Sequence, residues 1–521
     1  EVKNISKDIY FRSILLGGMI FLVLDIWLGN TLYSVPSLPV TSVIIEFKSF
    51  TYVIFVFIIL VFFTGETLHR DKATGYATIN DTFPVKDSVV IGSKFLGMVF
   101  ICFLLSFIPI LVGLVFQTLK GYFDYNLSTY IIDSFLISFP DYIQMVMLVF
   151  AVHLFVNNKF AGHAASIGLW VALIVLRNFA NFDFNLFFYS YKPNYTWSEM
   201  NGLGHFSEPL FWFNAYWTAF GIFLILFFSI FFSRGSENSF KSRLRQAKGM
   251  LFSAKTVMSY VFLVVALAIA AFIYSNVAYT NTYLTSDERQ ERSAEYEKQL
   301  KKYEFMPQPK ITKVSLKADL YPMERDAYFD AEVQFVNKTN EPIDSVHMQS
   351  SQLSMFDLLY EGDTLNHRFP LKVKKPKYKL FKASKPQEWY KIYALPKTML
   401  PGDTLNMRIV SSILNNGFVN SGFTREIVYN GTFVGGGMPE IGYSAQSELS
   451  SDETRRKYDL PPKDYELPTH DDEYGRKTLL LADEADLIQF EAVISTVPDQ
   501  IAIAPGYIQK EWEEDGRKYY H

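Results

Sequence analysis

Eight histidines are the first candidates for chemistry, because imidazole both binds metals and carries protons. They stand at His69, His153, His163, His205, His347, His367, His470 and His521. None falls in a His-Glu-x-x-His motif, and none pairs with another along the chain at zinc-ligand spacing. The run "THDDE" (469–473) sets one histidine among acids, which suits a solvated loop rather than a metal site. The single cysteine, Cys102, lies inside an apolar block, so neither an internal disulfide nor a cysteine metal site is available. No Gly-x-x-x-x-Gly-Lys-Ser/Thr loop or Gly-x-Ser-x-Gly elbow occurs, and "VGGGMP" (434–439) opens no phosphate-binding helix. No catalytic residues and no metal ligands are assigned within these residues.

Ionisable groups inside greasy runs carry more promise, since burying a charge in lipid is costly. Asp25, Asp133, Asp141, His153, His163, Arg177 and Asp183 lie within or near such runs. Asp25 and His153 read as the deepest, and these two with Arg177 form the intramembrane polar set. A second set lies in and beside the polar stretch "TGETLHRDKATGYATINDTFPVKDS" (64–88), wedged between two greasy segments. It comprises Glu66, Arg70, Asp71, Gly75, Pro84 and Lys94. Glu66 and Arg70 are four apart and can pair on one helical face. Gly75 and Pro84 bracket a short amphipathic piece, "YATINDTF".

The elements that must position these residues divide sharply along the chain. The 521 residues are 49% hydrophobic and 17% aromatic, but the apolar blocks end near residue 280. A helix needs about 20 apolar residues to cross about 30 Å of hydrocarbon. Seven segments qualify, near 11–30, 47–65, 89–117, 140–156, 162–180, 208–233 and 255–279. Pro109 predicts a kink in the third, and 128–139 predicts a short interfacial helix. Fourteen Lys and Arg residues flank the spans on one side, against Lys48, Lys120 and Lys192 on the other. The positive-inside rule then places the first residues and the polar stretch in the cytoplasm, and everything after about 280 outside. The aromatic stretch between spans five and six reads either as an interfacial belt or as two short helices dipping into the outer leaflet. A net charge of −4, with no basic patch interleaved with aromatics, gives no support for nucleic-acid binding.

Residues 284–305 read as a charged, solvated linker helix capped by Ser286. Beyond Lys310 the period changes to two. "YFDAEVQFVN" alternates through Phe329, Ala331, Val333 and Phe335; "TLNMRIVSSI" through Leu405, Met407 and Ile409; "LIQFEAVIST" through Ile488, Phe490, Ala492 and Ile494. Such strands, separated by Gly, Pro, Asn and Asp turns, predict an antiparallel β-sandwich. Residues 446–475 read as a long acidic surface loop. The domains expected are thus 1–253, a six-span membrane domain; 254–283, a seventh transmembrane helix; 284–308, a helical linker; and 309–521, an extracytoplasmic β-sandwich.

Two resemblances follow. The layout of residues 1–250, with "GETLHRDKATGYATINDTFPVKDSVVIGSKFLG", resembles the permease subunits of type II ABC exporters. Arg70, Gly75, Pro84, Gly92, Lys94 and Gly97 fit that family's pattern, while His69 stands where a Glu is usual and Glu66 lies one turn earlier. "KITKVSLKADLYPMERDAYFDAEVQFVNKTNEPI" (310–343), "GTFVGGGMPEIGY" (431–443) and "FEAVISTVPDQIAIAPGYIQKEWEEDGRKYYH" (490–521) resemble the amino-terminal β-domain of aminopeptidase-N-type zinc peptidases. The combination resembles a bacterial fusion of a permease with such a peptidase. That resemblance implies zinc-binding sequence beyond residue 521 and further spans before Glu1.

What the resemblances imply is a permease half in the bacterial inner membrane, whose polar stretch couples to a separate cytoplasmic ABC ATPase. ATP would be bound by that partner and not by this chain, and zinc would enter only with a downstream catalytic domain. A second permease half and the lipid bilayer are the other partners implied. Two further readings stay open: a membrane-anchored zinc aminopeptidase, and a non-catalytic envelope scaffold.

Overall fold

The protein is described by a computed structural model covering residues 2–29, 31–32, 35–48, 51–80, 83–179, 183–232, 240–350, 353–372, 388–421, 426–463, 469, 471 and 487–521. His470, and with it most of "THDDE", lies outside the described residues. The chain folds as two units, Glu1–Ser275 with Asn420–Gly422 and Asn276–Val419 with Phe423–His521.

Among the described residues, seven helices are long and apolar enough to cross a membrane. They are α1 (Ile9–Gly29), α2 (Thr51–Ala73), α3 (Asp87–Leu119), α4 (Leu127–Val156), α5 (Lys159–Phe179), α6 (Ser207–Phe228) and α7 (Ala254–Tyr274). Their runs of Leu, Ile, Val and Phe leave backbone polar groups no partner but the helix itself once water is excluded. The core of this unit lies where α2, α3 and α4 meet, around Tyr52, Leu60, Ile101, Leu105, Val146 and Phe150.

Two prolines shape the helices. Pro109 inside α3 has no N–H for the Leu105 carbonyl, and the Tyr52 hydroxyl donates to that carbonyl instead at 2.8 Å. Pro140 has a different effect. The stretch 128–139 is not a separate interfacial helix: Leu127–Ile131 runs through π turns at Ile132–Ser138 directly into Phe139–Val156. The wider turns lie just ahead of the proline ring, where a tight α-turn would clash with it. A further short helix, Thr41–Phe47, precedes α2 and has no clear signal in the sequence. The aromatic stretch before α6 holds two 3-10 turns, Asn185–Phe187 and Gly204–Phe206, in place of paired helices.

The second unit includes α8 (Ser286–Leu300). Its cap is Thr285, one residue earlier than expected, in a capping box with Glu288. The helix is not a solvated linker. Ala294, Tyr296, Glu297 and Leu300 are buried on one face, because they recur at helical spacing among the charges.

The strands are β1 (Lys310–Tyr321), β2 (Asp326–Val336), β3 (Ile343–Gln349), β4 (Met355–Tyr360), β5 (Tyr390–Met399), β6 (Thr404–Ile413), β7 (Gln489–Thr496), β8 (Glu511–Glu514) and β9 (Arg517–Tyr520). One sheet runs in the order β8-β9-β7-β1-β2-β6-β4, ending on Asp363–Thr364. The other runs Glu440–Ile441, β3, β5, His367–Arg368. Val333, Phe335 and Ile409 of the first sheet share one apolar cluster with Val346, Met348 and Tyr393 of the second.

The alternation expected in β2 and β6 holds: Phe329, Ala331, Val333, Phe335, Met407 and Ile409 are all buried. Two strand expectations fail. β7 pairs with β1 in parallel, Phe490 opposite Val314, so the first sheet is mixed. Its apolar end is also not the buried one: Phe490 is 39% exposed while Ser495 and Thr496 are buried. Ser495 is bonded to Asp319 and accepts from Arg517 at 2.7 Å, and these partners offset the burial of the hydroxyl. Within 446–475, the helix Asp452–Lys457 interrupts the expected loop, and the Arg455 guanidinium is buried on Glu297 of α8 at 2.7 and 2.9 Å.

Candidate functional site

The first unit carries polar side chains at both ends of its central helices. At the end where α2 finishes, helix α2 runs through Glu66, Arg70 and Asp71 and stops at Ala73, so these three lie on the helix rather than in a loop. Gly75 follows with φ +72°, a left-handed turn that glycine adopts without strain. One helical turn, Ala77–Asn80, lies between Gly75 and Pro84, and α3 starts at Asp87. Asp71 accepts from Lys94 of α3 at 2.8 Å, and Glu66 pairs with Lys159 of α5. Lys72 reaches the side-chain oxygen of Asn157, the left-handed residue that ends α4, at 3.3 Å. Arg243, on the basic helix Phe240–Gly249, donates to the carbonyls of Phe155 at 2.9 Å and Val156 at 3.3 Å. It thereby caps the negative end of α4. Four of the long helices are fastened to one another at this end by charge-assisted bonds.

Just above lie three histidines. His69 Nε2 of α2 is 3.4 Å from His153 Nδ1 of α4. The His153 and His163 rings meet edge to face, their centroids 5.0 Å apart, and His163 stacks on Phe62. A Cβ at Gly65 would collide with both His163 and His153, and one at Gly162 with His153. The two glycines are the gaps that admit the rings. Among the described residues no group of three His, Cys, Asp or Glu side chains is disposed to hold a metal. Spacing along the chain does not reveal this cluster. The signal is the turn Asn157–Asn158: His153 lies four residues before Asn157 and His163 four after Lys159, so folding the hairpin faces one to the other.

At the opposite end, α2, α4, α5 and the stretch 189–197 enclose a cavity of about 660 Å³. Its apolar wall includes Val53, Phe57, Met145, Val149, Trp170 and Ile174, with Trp170 stacked on Phe57 at 4.4 Å. Its polar wall holds one ion pair and the lysine of a second. Lys192 bonds Asp141 at 2.6 Å, and Lys48 pairs with Asp133, which also accepts from the Tyr195 hydroxyl at 2.8 Å. Glu46, on the Thr41–Phe47 helix, lines the same cavity from an exposed position, and partial loss of hydration there raises its carboxyl above the ordinary range. Behind it Gln144 of α4 is fully buried and bonded on every side, to Asn214 and Thr218 of α6 and to Tyr189 and Ser190.

The intramembrane set does not converge. Asp25 sits in α1 with one buried oxygen that has no hydrogen-bond partner among the described residues, His153 belongs to the histidine cluster, and Arg177 stacks on the Tyr191 ring at 4.0 Å. Gln144, Tyr142 and Ser166 escape a sequence reading, because a lone uncharged polar residue barely lowers the mean hydropathy of a long apolar run.

No protein-family model and no curated protein matches the chain. Among solved structures it is similar to an M1 zinc metallopeptidase from Deinococcus radiodurans, at 13% identity and a TM-score of 0.22, over 41% of this chain and 38% of that one. A mutant of the M1 enzyme from the same organism, bound to a Tyr-Ser-Ala substrate, gives 14% identity and a TM-score of 0.21 over the same shares. The chain thus spans less than two fifths of the length of these structures.

Proposed function

We propose that this chain is the membrane subunit of an ABC-type transporter, with an aminopeptidase-like β-domain on the extracytoplasmic side and a separate cytoplasmic ATPase. The observation that supports it is the fastening of α2 to α3 by Asp71–Lys94 and to α5 by Glu66–Lys159. A push on the short helix Ala77–Asn80 is carried by these bonds into three spans at once, which is what converts the closure of an ATPase into helix motion. The excess of Lys and Arg at the same end supports a cytoplasmic position for it by the positive-inside rule. Arg70 and Gly75 set the exit of α2 toward that partner.

The test is purification of the chain from its native membrane in mild detergent. An ATPase is expected to co-purify, and Arg70→Ala combined with Gly75→Leu is expected to release it. Asp71→Asn is expected to retain the ATPase but uncouple its turnover from added lipid or substrate. Absence of any co-purifying ATPase across several detergents and nanodiscs overturns the reading.

A further inference from the structure

The cavity at the outer end of the first unit holds polar groups that the protein itself leaves unanswered. The Tyr142 hydroxyl and the Ser166 hydroxyl both line it, are 1% and 3% exposed as residues, and have no hydrogen-bond partner among the described residues. A buried hydroxyl without a partner costs about 1–3 kcal/mol, so a site that keeps two of them is built for something that supplies the bond. The charges point the same way. Lys48 and Lys192 are each held by a carboxylate, whereas Glu46 has no cation at ion-pairing distance among the described residues. Arg177 is stacked on the Tyr191 ring and does not itself line the cavity. The remaining lining is aromatic and aliphatic, and the volume lies in the range of about 300–1,000 Å³ of small-molecule sites. Helix α5, which forms one wall, buries only 11% of its apolar window, so the wall is open to whatever surrounds the spans.

We propose that this cavity binds an amphipathic molecule with a cationic head and a single apolar chain. The head sits against Glu46 and the face of Trp197, where a cation gains from both the carboxylate and the ring. Tyr142 and Ser166 supply hydrogen bonds beside it, and the chain lies along Phe57, Trp170 and Ile174. The assignment goes beyond the coupling reading and does not depend on it.

The experiment uses the full chain in nanodiscs of zwitterionic lipid, titrated with decylammonium, whose N–H groups can reach the two hydroxyls, and, separately, with decanoate. Binding is read by tryptophan fluorescence and by calorimetry against empty nanodiscs. Saturable binding of the cation is expected, with decanoate at least tenfold weaker. Glu46→Gln, near the exposed end of its short helix, is expected to weaken the cation about tenfold without shifting the unfolding temperature. Ser166→Trp is expected to fill the cavity and abolish binding. No saturable cation binding above empty nanodiscs, equal binding of decanoate, or an unchanged affinity in Glu46→Gln overturns the proposal. None of these outcomes bears on ATPase co-purification, so the two readings fail separately.

Discussion

Single atoms decide several features of this molecule. Tyr52 and Pro109 form one unit, because the hydroxyl replaces the N–H that the proline lacks. Tyr52→Phe leaves the Leu105 carbonyl buried and unpaired, and is expected to cost about 1–3 kcal/mol. Pro109→Ala restores the missing donor, so the double variant is expected to recover most of that loss. A double-mutant cycle from thermal unfolding in detergent checks it, and additive effects would refute the pairing. The glycines beside the histidines make a second case. Gly65→Ala and Gly162→Ala press a methyl into imidazole rings, and each is expected to cost about 1–3 kcal/mol by overpacking. Replacing His153 by Ala in the same chain is expected to relieve the Gly162→Ala penalty. In the second unit, burial pushes the His347 imidazole down to about 4, with its Nδ1 2.8 Å from the Tyr390 hydroxyl. Its free value is about 6.5, so above that pH both states are neutral and its contribution is full. As pH falls from 6.5 toward 4 the unfolded chain takes up the proton first and stability declines, by roughly 3 kcal/mol in all. Hydrogen exchange in β3 and β5, corrected for intrinsic rates, is expected to quicken over that window, and His347→Phe to flatten the response.

At the scale of elements, helix α8 shows where a local reading stops. Its charge pattern predicts a helix correctly, since cap, acids and lysines are local signals. What the pattern does not carry is the partner: Arg455 lies 158 residues away from Glu297, and only the fold brings them together. Arg455→Met is expected to cost about 3–5 kcal/mol by leaving Glu297 buried and uncompensated. Combining it with Glu297→Leu is expected to recover most of the stability, measured by chemical unfolding followed at Trp389 against α8. The same limit governs the other elements. All seven spans are legible, because length and apolarity are enough. The alternation of β2 and β6 is legible because each has one wet face. β7 is not, because its buried end is polar and its parallel partner lies far off in the chain. The polar end of α2 is legible as residues but not as a knot, since Lys159 and Asn157 come from another hairpin.

For the whole molecule, the question is what covers the spans. Helices α2 and α4 bury 61% and 50% of their apolar windows, whereas α1, α5 and α7 bury 22%, 11% and 22%. Water covers apolar area of that extent poorly, since soluble monomers rarely expose contiguous patches beyond a few hundred Å². Lipid can, and the second half of the proposed transporter would cover part of it. The two covers differ in what they tolerate. Lipid accepts any apolar side chain, whereas packing between helices needs a fitted surface rich in small residues. Helix α5 exposes Ala161, Ala164, Ala165 and Gly168 in its first half, alongside Ile167 and Val171. On the proposed reading, α5 and α1 face the second half while α7 faces lipid. Single cysteines at Val171, Leu16 or Val264 are therefore expected to separate, in membranes, into two groups. The first two should cross-link to a neighbouring span under mild oxidation, and the third should react only with a lipid-phase probe. Cys102 is fully buried and does not compete. If all three positions label from lipid alike and none cross-links, the chain crosses the membrane by itself and the second half is refuted.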